Sequence, residues 1–132
     1  MMVVDSSAVV AIVRDEPDAA DLIAMLDSAD GAIMSAVSLV ETNLVVIGRR
    51  LGADPQRIGL LLDSLGIATV DVTVEQAHIA VAAFLRYGKG RHPARLNIAD
   101  CFTYALAKSR NLPLLFKGAD FLQTDIAAAR RV

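Results

Sequence analysis

Of the 132 residues only one, Cys101, is a cysteine. No disulfide can form within the chain, and the expected setting is a reducing, cytoplasmic one. Tryptophan is missing and aromatics make up 5% of the residues, too few for a platform on which nucleic-acid bases stack. No apolar run approaches the ~20 residues that a membrane-spanning helix needs, so no membrane association is expected. The amino terminus has no basic stretch ahead of its apolar residues, and Asp5 interrupts them, so a secretory signal is not expected either. Charge of one sign is also scarce. The formal net charge of −2 argues against a protein that coats nucleic acid non-specifically, but not against an acidic site neutralised locally by metal.

What the chain does have is apolar residues, 55% of the total, on a length that suits one globular domain spanning residues 1–132. It begins with a short apolar strand that ends at Asp5. Helical patterns follow over residues 6–13, 18–27, 37–51, 55–65, 74–87 and 98–110. Short apolar runs at 32–34, 67–70 and 112–116 read as strands, and a last edge strand is expected near Arg131 and Val132. Ser35, Asp54, Thr73 and Asn97 stand where N-caps belong, and Asn111 can end the helix that Asn97 starts. Strands separated by helices predict an α/β fold: three layers, α/β/α, around a short, mostly parallel sheet.

Four acids hold comparable places in that pattern. Asp5 ends the first strand, and ligand crevices of open α/β sheets lie at the carboxyl ends of the strands. Glu41 shares a helical stripe with Val37, Val40, Leu44 and Ile47, which predicts that it faces inward. Asp100 opens a helix and Asp120 follows the fourth strand. Two to four carboxylates around a hard cation, with open positions for water and phosphate, suit Mg²⁺ or Mn²⁺. Such a cation activates water and offsets charge at a scissile phosphate, so no nucleophilic side chain is required. Taken singly, Asp100 reads as a capping residue and Asp120 as a turn residue. Asp5 is harder to explain away, since an unpaired carboxylate in an apolar context costs several kcal/mol.

Four segments resemble the PIN-domain ribonucleases, specifically the VapC-type toxins of type II toxin–antitoxin pairs. They are VVDSSAVVAIVRDEP (3–17), SAVSLVET (35–42), YGKGRHPARLNIADCFTYALAK (87–108) and LPLLFKGADFLQTDI (112–126). The last two are specific, whereas DSSA alone is weak. The resemblance implies a PIN-like domain and a Mg²⁺-dependent endoribonuclease toxin, with Mn²⁺ as a substitute. It implies RNA as substrate, a cognate VapB-type antitoxin over the site, and a homodimer. It carries Asp5, Glu41, Asp100 and Asp120 over as the catalytic, metal-holding acids, with Ser7, Asn97 and Asp125 in support. Residues 53–81 hold no diagnostic motif and do not indicate which RNA is cut.

A basic loop precedes Asn97. Lys89, Arg91 and Arg95 lie in it, beside His92 and after Arg86, and are candidates for binding RNA phosphates at the rim of an acidic cleft. Gly88 and Gly90 could let the backbone approach a phosphate. Other readings fit less well. A serine hydrolase needs a nucleophile beside a base; no G-x-S-x-G turn exists, and His78 and His92 read as surface or packing residues. Cys101 reads as core. A phospho-acceptor receiver domain would use Asp71 and Lys117, but it lacks paired acids near Asp5 and leaves Glu41 unexplained. A PIN-like module that binds RNA or protein without cutting is the third alternative.

Overall fold

The computed structural model describes residues 1–129. Its elements run β1 (Met2–Val4), α1 (Ser6–Val13), α2 (Ala19–Ser28), β2 (Ala32–Ser35), α3 (Ala36–Gly48), α4 (Pro55–Ser64), β3 (Ile67–Val70), α5 (Val74–Tyr87), α6 (Ile98–Arg110) and β4 (Leu114–Leu115), with a 3₁₀ turn over Asp120–Gln123. The four strands are parallel in the order β3-β2-β1-β4. Every strand therefore ends at the same edge of the sheet, which is where a parallel sheet presents its crevice.

The register explains the layers. Val3 pairs with Ile33 on one side and Leu114 on the other, and this row packs against α5 and α6 with Tyr87, Leu96, Tyr104 and Leu106. The next row, with Val4 and Leu115, faces the opposite way and joins Met34, Val46, Ile58 and Leu62. Strands covered on both faces need apolar residues at successive positions rather than alternate ones. The short runs in the sequence meet that need, and the expected α/β/α arrangement is the one found. No helix among the described residues is long and apolar enough to cross a membrane.

Two elements are shorter than the sequence suggests, for one reason. Helix α3 stops at Gly48 instead of residue 51, because Arg50 takes a left-handed φ of 55° and the amide of Leu51 donates to the carbonyl of Val46. Leu51 is the apolar residue that closes this C-terminal motif, not a further turn of helix. Strand β4 covers two residues, not 112–116, because Leu112 plays the same closing part after Asn111 (φ 52°), donating to the carbonyl of Ala107. Pro113 has no N–H to offer, but its carbonyl accepts from Val3. The edge strand expected near Arg131 and Val132 lies outside the described residues; Ala128 forms an isolated parallel bridge with Leu114.

Candidate active site

Asp5 is 2% exposed at the end of β1, where the chain turns into α1. It is the N-cap of that helix, and its Oδ2 accepts the amide of Ser7 at 3.1 Å. Its Oδ1 accepts the hydroxyl of Thr103 at 2.8 Å, from α6. Thr103 in turn lies 2.9 Å from the hydroxyl of Ser38 on α3. Neither Thr103 nor Ser38 was singled out from the sequence, although Thr103 is three residues beyond Asp100 and so on the same helix face.

Glu41 reaches the site by a different route from the one its apolar stripe suggests. Val40 and Leu44 are 56% and 67% exposed and Ile47 is exposed too, so the stripe faces outward. The buried face of α3 is Ser38, Thr42 and Val46, which are smaller, partly polar, and packed against α1 and α6. Glu41 lies at the boundary of the two faces, where its Oε1 accepts the hydroxyl of Ser6. Burial and the charge of Asp5 push its carboxyl up, and the Ser6 bond only partly offsets them. The supporting hydroxyl is thus Ser6. The hydroxyl of Ser7 accepts the amide of Lys117 at 3.0 Å and ties the β4 loop to α1.

Asp100 caps and faces the acids at once. Its amide donates to Asn97 Oδ1 at 2.9 Å and its Oδ2 accepts the amide of Asn97 at 3.0 Å, a reciprocal capping box. Burial pushes its carboxyl up to about 7, and the charges of Asp5, Glu41 and Asp120 add to the effect against the opposing Asn97 bond. Asp120 is exposed at the start of the 3₁₀ turn. All four acids named from the sequence therefore meet electrostatically at Asp100. Cys101, next in the chain, is buried and its thiol is pushed up to about 11 by burial and by Asp100, so it is no nucleophile.

The donor set is carboxylate oxygen, the chemistry that Mg²⁺ and Mn²⁺ accept. Among the described residues no three His, Cys, Asp or Glu side chains are already gathered to ligating distance. The acids fit such a cation in the chemistry of their oxygens and in the charge each adds at Asp100.

Other candidates are placed elsewhere. Asp125 accepts from Tyr104 Oη at 2.6 Å and Lys108 Nζ at 2.8 Å, two turns further along α6 than Asp100. Lys117, the lysine of the receiver reading, is held by Glu16 at 2.8 Å and Asp18 at 2.9 Å. Asp71 follows β3, with β2 between that strand and β1, and is exposed. No receiver-like pairing with Asp5 is available to it.

In the basic loop, Lys89, Arg91 and Arg95 are exposed around a hollow of about 530 Å³ that includes His92. Arg86 belongs to α5 instead, with its guanidinium 4.8 Å from the Tyr87 ring. Gly88 is needed for packing, since a Cβ there would collide with the Phe84 carbonyl and ring. Gly90, at φ 83° with open space around it, keeps the freedom expected of it. The loop is joined to the turn that carries Asp120, where Gln123 Nε2 donates to the Pro93 carbonyl at 3.4 Å.

Known proteins agree with this geometry. The PIN domain family matches residues 2–127. Ribonuclease VapC30 of Mycobacterium tuberculosis (strain H37Rv) is 46% identical over 126 residues, 96% of this chain and 96% of that protein. Two solved structures share the fold at low identity. The M. tuberculosis toxin VapC20, described as cleaving the sarcin–ricin loop, has a TM-score of 0.79 at 16% identity, covering 99% of this chain and 100% of that one. A toxin–antitoxin complex from Klebsiella pneumoniae has a TM-score of 0.73 at 15% identity, with 100% of both chains covered. A match over nearly the whole length, on a fold whose strand ends bring Asp5, Glu41 and Asp100 to one edge, places the chain in the PIN-domain family, among the VapC ribonucleases.

Proposed function

We propose that this chain, a single domain over residues 1–132, is the endoribonuclease toxin of a toxin–antitoxin pair. Its acids Asp5, Glu41, Asp100 and Asp120 would hold Mg²⁺, or Mn²⁺ in its place. The observation that carries this reading is the coupling of all four acids at Asp100, at the carboxyl edge of the sheet. When bound, the cation would supply an activated water and offset charge at the scissile phosphate. The chain's own residues do the rest. Asp5 is oriented by Ser7 and Thr103, Glu41 by Ser6, and Asp100 by Asn97. Burial and the neighbouring charges push the Asp100 carboxyl up to about 7, a repulsion that a bound cation would offset. Lys89, Arg91 and Arg95 would meet RNA phosphates beside Asp120 and offset their repulsion from the acids.

Two protein partners fit the surface. Leu22 and Leu26 of α2 and Ile58 and Leu62 of α4 are packed into the core. Most of the exposed large apolar residues are on α3, α5 and α6. Val40 and Leu44 line one groove, Val81, Phe84 and Leu85 line another, and Ile98, 75% exposed, borders both. A second copy of the chain would cover this face, since a ridge flanked by grooves can be self-complementary about a two-fold axis. A cognate VapB-type antitoxin would block the acids in a cytoplasmic setting.

The test is cleavage by the purified, partner-free chain. RNA should be cut with Mg²⁺ present, spared when a chelator removes it, and spared by Asp100→Asn. RNA bound but uncut in Mg²⁺ and in Mn²⁺ would favour a non-cleaving module instead.

A further inference from the structure

Thr103 and Ser38 are fully buried hydroxyls outside the four acids, and their bonds have a direction. Thr103 Oγ1 donates its one proton to Asp5 Oδ1. The 2.9 Å contact with Ser38 must then run the other way, with Ser38 donating to Thr103 Oγ1. The result is a single-file relay from Ser38 through Thr103 to Asp5, with each hydrogen aimed at the carboxylate.

The placement of the relay is as telling as its direction. Ser38 is three residues before Glu41 on α3, and Thr103 is three residues after Asp100 on α6. Each helix that carries a site acid therefore contributes, from an adjacent turn, one hydroxyl to the acid at the end of β1. These three elements are the ones whose carboxylates repel one another. An apolar pair of the same shape at positions 38 and 103 could pack in the same space, so what the hydroxyls add is the bond to Asp5 Oδ1.

We infer that Ser38 and Thr103 are positioning residues for metal binding, a relay that fixes the Asp5 carboxylate and holds α3 and α6 at the spacing the acids need to share a cation. The inference rests on the nuclease reading for the site's occupant, and goes beyond it in naming what sets the acids' spacing. Neither hydroxyl touches the cation. Thr103 acts through Asp5, and Ser38 acts through Thr103 by keeping its proton pointed the right way.

The probe is MnCl₂, titrated calorimetrically into the apo full-length chain, with apo melting temperature measured alongside. Thr103→Val should weaken Mn²⁺ binding roughly ten- to a hundredfold, the usual effect of losing a group that orients a ligand. Ser38→Ala should weaken it several-fold. Thr103→Ser, which keeps the hydroxyl, should restore wild-type affinity. The double variant Ser38→Ala/Thr103→Val leaves no stranded hydroxyl but takes the donor from Asp5 Oδ1, so it should melt somewhat below wild type and bind Mn²⁺ as weakly as Thr103→Val. A purely structural role predicts a lowered melting temperature with unchanged affinity. Equal Mn²⁺ affinity in wild type, Ser38→Ala and the double variant would overturn the relay and leave the nuclease reading standing. A wild-type chain that binds no Mn²⁺ would overturn both.

Discussion

At the first turn of α6 the carboxylate of Asp100 meets other carboxylates; two turns on, about 12 Å along the axis, the carboxylate of Asp125 meets cations. Burial pushes both up. At Asp125 the bonds from Lys108 and Tyr104 and the charges of Lys108 and Arg86 outweigh it, and the carboxyl ends below its usual range. At Asp100 the neighbours are Asp5, Glu41 and Asp120, and the carboxyl ends at about 7. The same kind of side chain is stabilised where Asp125 packs against one end of the helix and frustrated where Asp100 opens the other. Frustrated acids of this kind mark functional sites, because the fold tolerates their repulsion only where a ligand relieves it.

The strongest break of this comparison exchanges the charge at each cluster in turn. Asp5→Asn should lower RNA cleavage by roughly 10³-fold or more, while Asp125→Asn should leave it within about twofold and cost stability of about 1 kcal/mol. Asparagine is the better probe at position 5, because Asp5→Ala would also strip the N-cap from α1. Comparable cleavage by wild type and Asp5→Asn would dissolve the distinction between the clusters.

A second test is pH. Asp100 binds its proton more tightly in the folded chain than in the unfolded one, where its ordinary value is 3.8. The unfolded state therefore holds fewer protons between about pH 4 and 7, and stability without metal must fall as pH rises through that window. Glu41, also raised, acts in the same direction. Asp100→Asn keeps a capping oxygen without the charge. It should raise stability at pH 7.5 by about 1 kcal/mol or more and flatten the slope, allowing for solvent screening. An unchanged pH slope in urea midpoints would show that Asp100 is not strained by its neighbours.

Sharper still is the melting shift caused by Mn²⁺. A ligand that binds only the folded state stabilises by mass action, and each tenfold loss of affinity removes about 1.4 kcal/mol at saturating concentration. Glu41→Gln should shrink the Mn²⁺-induced rise in melting temperature, and Asp125→Asn should not. Equal rises in wild type and Glu41→Gln would remove Glu41 from the cation. The smallest effect is expected at the rim. Lys89→Ala with Arg91→Ala should weaken RNA binding a few-fold and lower the salt slope by about 0.7 per lost phosphate contact, leaving Mn²⁺ affinity alone. Unaltered affinity and slope would mark the loop as merely solubilising.

Much of this was legible in the sequence, and the residues show why. Caps and breakers are local, so Ser35, Asp54, Thr73, Asn97 and Asn111 delimit their helices as expected. Local patterns also fix extents: strand 67–70 and helix 74–87 are found with the boundaries read from the sequence. The stripe on α3 misled because periodicity finds an apolar face without saying what covers it. Val40 and Leu44 form such a face, yet the core is built from Ser38, Thr42 and Val46. Nor could spacing show that Ser6 and not Ser7 bonds Glu41, or that Thr103 reaches Asp5 across 98 residues. Those contacts depend on how α3 and α6 pack, which is a tertiary fact.

The loop between α5 and α6 is closed at its base like a clasp. Lys89 donates to the Leu96 carbonyl at 2.9 Å and Leu96 to the Tyr87 carbonyl at 3.0 Å, while Ala94 and Leu96 are buried beneath. His92 sits edge-on to Tyr87, 5.1 Å between ring centres. Three cations are thus displayed from a backbone whose ordering was completed when the domain folded. An RNA strand binding there as proposed would lose its own freedom but take little from the protein, whereas ordering a flexible loop would cost about 1–2 kcal/mol for each residue fixed.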